Sequence, residues 1–268
     1  MTVVLSETER AVPLISVTVA FRAGAVHDPP ERAGLARLVA RMWRRGCRGY
    51  SSDELESRID ELGAEIGASA GLVSTTVHVE LLQRSAEPVA RLVGQMLAHP
   101  TFDEAELERL KRQTEAEITD SRDSDAFLVG RAFRRQLFAG HPHSCRVAGT
   151  IPTVRSITRA DVERWHRQHI TRDNAVVAVV GNLADTAVDE LVSQVMAELP
   201  AGQPTAYPHQ DPPLPSGRNL VMVSKPERSQ TQMVIGTLGT HPEDSDHTAL
   251  MVANTAFGGT FTARMVQE

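Results

Sequence analysis

Residues 14–46 read LISVTVAFRAGAVHDPPERAGLARLVARMWRRG, and this stretch decides the fold class. Leu14 to Phe21 is rich in β-branched residues, which marks a strand running toward Gly24. Pro29 and Pro30 hold the following loop out of a helix. From Gly34 to Gly46, apolar residues fall at Leu35, Leu38, Val39, Met42 and Trp43, the spacing of one helical face. Strand, loop and amphipathic helix in immediate succession point to an α+β chain.

The rest of the chain extends that pattern. Val3 to Leu5 reads as a further strand. Ser51 to Leu62 is a helix opened by a Ser-Ser-Asp-Glu cap. Residues 63–70 and 74–82 read as a strand pair, and Ala86 to Ala98 as a helix stopped by His99-Pro100. A long helix follows the Asp103 cap to about Thr119. Helices over 125–138, 158–169 and 186–198 flank a buried strand at Ala175 to Val180. Leu199 to Gly217 then holds Pro200, Pro204, Pro208, Pro212, Pro213 and Pro215, the composition of a stiff, extended linker. Beyond it, 219–224 and 230–238 read as strands and 246–256 as a helix. The order strand, glycine, acidic loop, helix, glycine is met both at the start and after the linker, which suggests a duplicated unit. The expected organisation is a first domain over 1–199, a linker over 200–217, and over 218–268 the truncated beginning of a second similar domain that continues past Glu268.

At 268 residues the chain is long enough for a sizeable core. A hydrophobic content of 41% and a charged content of 23% are ordinary for a globular protein. A net charge of −6 argues against a general affinity for nucleic acid. No apolar run approaches the roughly 18 residues of a membrane span. Cys47 and Cys145 lack disulfide-framework or metal-knuckle spacing and read as plain thiols, one exposed and one partly buried. The opening MTVVLSETER is not a secretory signal. The compartment stays open: cytoplasmic, or periplasmic if the N-terminus is trimmed.

The helix at Gly34 carries the chemistry. Arg37-Leu38-Val39-Ala40-Arg41 occupies a place where H-x-x-E-H would put two zinc-binding histidines one turn apart beside a glutamate base. With its surroundings the chain resembles the pitrilysin/insulinase (M16) metallopeptidase family, in its bacterial and mitochondrial-processing-peptidase-like branch. The resemblance rests on VTVAFRAGAVHDPPERAGLARLVARM, IDELGAEIGASAGLVSTTVHVELL, HPTFDEAELERLKRQTEAEI, LFAGHPHSCRVAGTIPTVRSITRADVERWHRQHITRDNAVVAVVGN and the segment from Ser229 to Glu268, in that order. It implies the LuxS/MPP-like metallohydrolase fold, a mostly antiparallel sheet with helices packed on it.

Carried over residue by residue, the resemblance puts the two histidine ligands at Arg37 and Arg41, the base at Ala40 and the distal glutamate ligand at Glu117. Arginine offers only donors and stays charged, so it cannot ligate zinc. Ala40 cannot take a proton from water, and one carboxylate does not hold zinc against solvent. The expectation is a pseudo-peptidase with no catalytic residue, no metal and no cofactor, in which Glu117 pairs with Arg41 or Arg37. Arg44, Arg45 and Arg48 read as a solvated basic face. For peptide contact, the resemblance implies the strand around Ala68 and Ser69, used by β-augmentation, and the loop Gly258-Gly259-Thr260-Phe261. An ordinary edge strand and a plain helix C-cap are the alternatives, and Gly67 stands where relatives often carry Asn. His141 with His143, and His166 with His169, read as structural or solvent-facing, the second pair on a surface helix face. Relatives often occur as active and inactive pairs. The expected partners are therefore an H-x-x-E-H-bearing M16 subunit in a bacterial heterodimer, or a second copy, together with a peptide substrate. A stand-alone peptide-binding or scaffold protein is the alternative, and a hydrolase with an unrecognised site is a third reading.

Overall fold

The computed structural model describes residues 2–9, 11–207, 211–212 and 216–267. Five strands form one mixed sheet: β1 (Val3–Thr8), β2 (Leu14–Phe21), β3 (Glu65–Ala70), β4 (Thr75–Leu82) and β5 (Ala175–Gly181), in the order β1-β5-β2-β4-β3. β2–β4, β2–β5 and β3–β4 are antiparallel, and β1 runs parallel to β5. The sheet is thus mostly antiparallel, as the resemblance implies. Among the described residues β3 pairs only with β4 and β1 only with β5, so each has an open outer edge.

Alternation sets the inner face. Ile15, Val17, Val19 and Phe21 of β2 are buried, as are Val77, Val79 and Leu81 of β4 and Val177 and Val179 of β5. The residues between them turn away from the core, as the two-residue strand period requires. The helices of the first unit are α1 (Leu35–Met42), α2 (Ser52–Glu61), α3 (Ala86–Ala98), α4 (Glu104–Asp120), α5 (Asp125–Leu137), α6 (Ile151–Ser156), α7 (Arg159–His169) and α8 (Asp185–Met196). α1 packs on β3 and β4 and is flanked by α4 and α7, while α3 pairs with α8. Trp43, just past α1, is fully buried, with its ring 6.0 Å from Phe21 and 6.4 Å from His166. Of the two thiols, Cys47 is buried and Cys145 half-buried, so neither is the exposed cysteine that composition suggested.

The proline-rich segment is not a free spacer over its first part. Pro200 accepts a hydrogen bond from the Arg172 amide (2.9 Å), and the Thr205 amide donates to Asn174 Oδ1 (2.9 Å). The rest of the segment is partly outside the described residues, including Pro208, Pro213 and Pro215. After it, 219–224 and 230–238 are not strands. They run without a ladder, and Leu220 and Ile235 are 88% and 86% exposed. An apolar β-branched pattern makes a strand only when another strand accepts its amides and carbonyls, and none pairs here among the described residues. α9 (His247–Asn254), a π-helical turn (Thr255–Gly259) and α10 (Arg264–Gln267) follow. No helix among the described residues is long and apolar enough to cross a membrane.

Candidate functional site

The site is organised by the start of α1. Gly34 precedes it with φ 104°, a left-handed conformation that glycine adopts without strain. The Asp28 carboxylate accepts hydrogen bonds from the Gly34 and Ala36 amides, both at 3.0 Å, and so caps the helix from the preceding loop. Burial pushes the Asp28 carboxyl up to about 7, against the backbone amides that pull it down. The helix buries Leu35, Ala36, Leu38, Val39, Ala40 and Met42. That leaves Arg37 and Arg41, one turn apart, facing α4.

Glu117 of α4 meets both. Arg41 donates to it through two nitrogens, Nη2 to Oε1 at 3.0 Å and Nη1 to Oε2 at 3.1 Å. Arg37 Nη2 donates to the same Oε2 at 2.7 Å. Arg41 Nη1 also reaches Thr114 Oγ1, one turn back on α4, at 3.2 Å. The side chains of Arg37, Arg41 and Glu117 are 29%, 18% and 35% exposed, so the clasp is sheltered but open to solvent on one side. The pairing expected with one arginine is made with both. Ala40 is wholly buried between them in sequence and presents only a methyl group to the core.

A zinc ion does not fit this donor set. Two guanidiniums repel a cation and have no lone pair to give, and both oxygens of Glu117 are already engaged. Among the described residues no three His, Cys, Asp or Glu side chains converge on a point where a metal would sit.

The insulinase (peptidase family M16) model matches residues 3–150, and the model described as the peptidase M16 inactive domain matches residues 156–268. The chain belongs to the M16 family. It is 22% identical over 265 residues to an uncharacterized zinc protease, YmxG, of Bacillus subtilis, covering 99% of this chain and 64% of that one. It is 19% identical over 206 residues to the non-peptidase homolog YmxG of Helicobacter pylori, covering 77% of this chain and 48% of that one. The chain therefore spans between about half and two-thirds of these relatives. The crystal structure of a peptidase M16 inactive domain from Pseudomonas fluorescens superposes with a TM-score of 0.87 at 24% identity, covering 99% of this chain and 64% of that one, which shows a shared fold.

In this M16 chain Ala68 and Ser69 lie on the open edge strand β3, paired to Val77 and Thr76 of β4. The Ser69 and Thr76 hydroxyls are 3.0 Å apart. Gly258 and Gly259 belong to the π-helical turn that ends α9 and do not take the left-handed conformation of a glycine C-cap. Thr260 closes that turn in extended geometry, with its hydroxyl 3.2 Å from that of Thr262, and Phe261 is 96% exposed. No hydrogen bond or ion pair among the described residues joins this loop to the clasp.

One reading is refined and one corrected. Of the basic face read at Arg44, Arg45 and Arg48, Arg48 is 64% exposed and Arg44 38%, with Arg45 half-buried, and each has an acidic partner. Arg44 pairs with Glu56 of α2, Arg45 with Glu106 of α4 (3.6 Å), and Arg48 with Glu198 beyond α8 (3.4 Å). His166 and His169 are not on a surface face. Both are buried, and burial lowers each to about 4. His166 Nε2 lies 2.8 Å from the Leu97 carbonyl, and the His169 ring packs tilted against Trp165 with centroids 4.7 Å apart. The sequence reading missed Asp28 and Thr114. Asp28 precedes two prolines and caps α1 from six residues upstream, outside the usual capping window. Thr114 stands one turn before Glu117, a spacing that does signal a shared helix face.

Proposed function

We propose that this chain is a catalytically silent M16 homologue, the non-catalytic subunit of a peptidase whose active subunit carries H-x-x-E-H. The observation that carries the reading is the clasp itself: two arginines and a buried alanine occupy the ligand and base positions, and the remaining carboxylate is bound by both arginines. The chain holds no zinc and no other cofactor in this reading. Its part is to complete a chamber and to help position an extended peptide, with Ala68 and Ser69 on β3 and the loop Gly258–Phe261 as contact points. The open edge of β3 supports the first contact, because an unpaired edge accepts a peptide as a further strand. The exposure of Phe261 supports the second. Residues 1–199 form the degenerate peptidase-type domain in this reading and 218–268 belong to a second, joined by 200–217.

The test is reconstitution. The full chain is tagged, expressed in its native host and recovered under mild conditions, and peptide cleavage is assayed with and without it. Recovery of an M16 chain with an intact motif, whose cleavage of peptides rises when this chain is added, supports the reading. Chelator-sensitive cleavage by this chain alone would overturn it. Peptide binding with no M16 partner would leave a stand-alone peptide-binding protein instead.

A further inference from the structure

The proline-rich segment begins as a strap seated on the first unit. The Pro200 carbonyl accepts from the Arg172 amide (2.9 Å), the Gly202 amide donates to Asp173 Oδ2 (3.1 Å), and the Thr205 amide donates to Asn174 Oδ1 (2.9 Å). Gly202 passes so close to Thr171 that a methyl there would lie 2.6 Å from that side chain. These contacts come from 171–174, just after α7. The next come from histidines. His169, the last residue of α7, sets Nδ1 3.0 Å from the Thr205 hydroxyl. His27, in the turn Ala25–His27 before α1, sets Nε2 3.2 Å from the Ala206 carbonyl. His143, in the turn Pro142–Ser144, meets the Tyr207 hydroxyl through Nε2. Successive residues of the strap are thus each fastened by a histidine, and the histidines come from separate parts of the chain.

Neutral rings fit these contacts. The Gly24 amide donates to His27 Nδ1 (3.2 Å), so the ring proton sits on Nε2 and is given to the Ala206 carbonyl. A second proton, on Nδ1, would face the Gly24 amide donor against donor. The His27 and His169 rings are 5.5 Å apart, so two imidazoliums there would repel each other. Burial, and then the field of His27, hold His169 down to about 4. His143 is lowered as well, by burial first and then by His141 and by Arg134 of α5. The nearby acids give little relief. Asp28, beside His27, is turned to the amides at the start of α1 and itself takes up a proton near 7. Asp173 is engaged by the Gly202 amide, and burial raises the Cys145 thiol, which keeps it neutral. His166, one turn before His169, is turned to the Leu97 carbonyl.

We propose that residues 200–207 are an acid-operated strap: neutral His27, His143 and His169 fasten it to the first unit, and their protonation lets it lift. Lifting hydrates His169, which then binds a proton at the ordinary 6.5 and no longer at about 4, so falling pH draws the equilibrium open. The lifted strap adds roughly 25 Å of free extended chain between α8 and the residues that follow. Acid therefore lengthens the reach of everything after the strap.

Hydrogen exchange of the full chain, read by mass spectrometry and corrected for the intrinsic pH dependence of amide exchange, tests it without a variant. From about pH 7 to about pH 4.5, protection across 200–207 falls by at least about tenfold, while β2 and β4 keep theirs. The Gly202 and Thr205 amides are the reporters, because each donates to a side chain of the first unit. The double variant His27→Gln/His169→Gln takes up no charge at those positions, and its strap loses most of that pH dependence. The wild-type series stands by itself if the double variant misfolds. Unchanged protection of the wild-type strap overturns the proposal. Loss across the strap together with β2 and β4 also overturns it, since that is unfolding of the whole unit. A folded double variant that keeps the full pH dependence overturns the assignment to His27 and His169.

Discussion

Glu117 accepts three hydrogen bonds from two arginines that are held one turn apart on a buried helix. Bidentate and charge-assisted contacts of this kind are the stronger class, yet partial exposure keeps their value between those of surface and buried pairs. Glu117→Gln leaves two guanidiniums facing a neutral amide. It should lower stability by about 1–2 kcal/mol in chemical denaturation, with the loss shrinking as salt rises. Titration of the neighbouring groups gives a second prediction. His166 and His169 fall to about 4 when folded, below the ordinary 6.5, so the unfolded chain binds more protons between those values. Their contribution to stability is full above about 6.5 and is lost as pH falls toward 4. Asp28 has the opposite sign. Its folded value of about 7 lies above the ordinary 3.8, so the folded chain holds the extra proton and its contribution declines as pH rises between them. Asp28→Asn loses one of the two capping acceptors at every pH and removes that declining, pH-dependent part. Its melting temperature should therefore climb more steeply than the wild type's from pH 4 to 7 in a pH series of thermal melts. An equal or shallower slope would contradict the assignment.

At the scale of elements, what the sequence revealed depended on how local the cause was. α1 was legible because its burial follows the helical period, and α2 because Ser51 and Glu54 form a reciprocal capping box. Glu117 was legible as the arginines' partner only through the family resemblance, since no spacing rule links residues on α1 and α4. The pairings of Arg44, Arg45 and Arg48 went unread for the same reason, because Glu56, Glu106 and Glu198 come from three separate stretches of chain. The parallel pairing of β1 with β5 was equally hidden, because it joins residues at opposite ends of the first unit. The segments 219–224 and 230–238 show the reverse error: strand-like composition with no strand to pair with. The contact between α1's start and the loop before α6 gives a sharp element-scale prediction. Gly149 sits at φ 69° against the Ala33 carbonyl. Gly149→Ala should cost about 1–3 kcal/mol from strain alone, read as a lowered melting temperature. A neutral outcome would mean that the loop and α1 are not locked together.

For the whole molecule, a five-stranded sheet edged by β1 and β3 carries a helix layer in which two arginines and Glu117 form a clasp that is open to solvent on one side. Reversal of three residues should show how much of the original centre survives. The triple variant Arg37→His/Ala40→Glu/Arg41→His, with Glu117 in place, should take up zinc, because it regains the two imidazoles that the carboxylate needs as co-ligands. The central claim concerns the unaltered chain, and metal content tests it most directly. The full chain is loaded with excess zinc, desalted and analysed by elemental mass spectrometry. The account predicts far less than one zinc per chain. A stoichiometric zinc that only a strong chelator removes would contradict it.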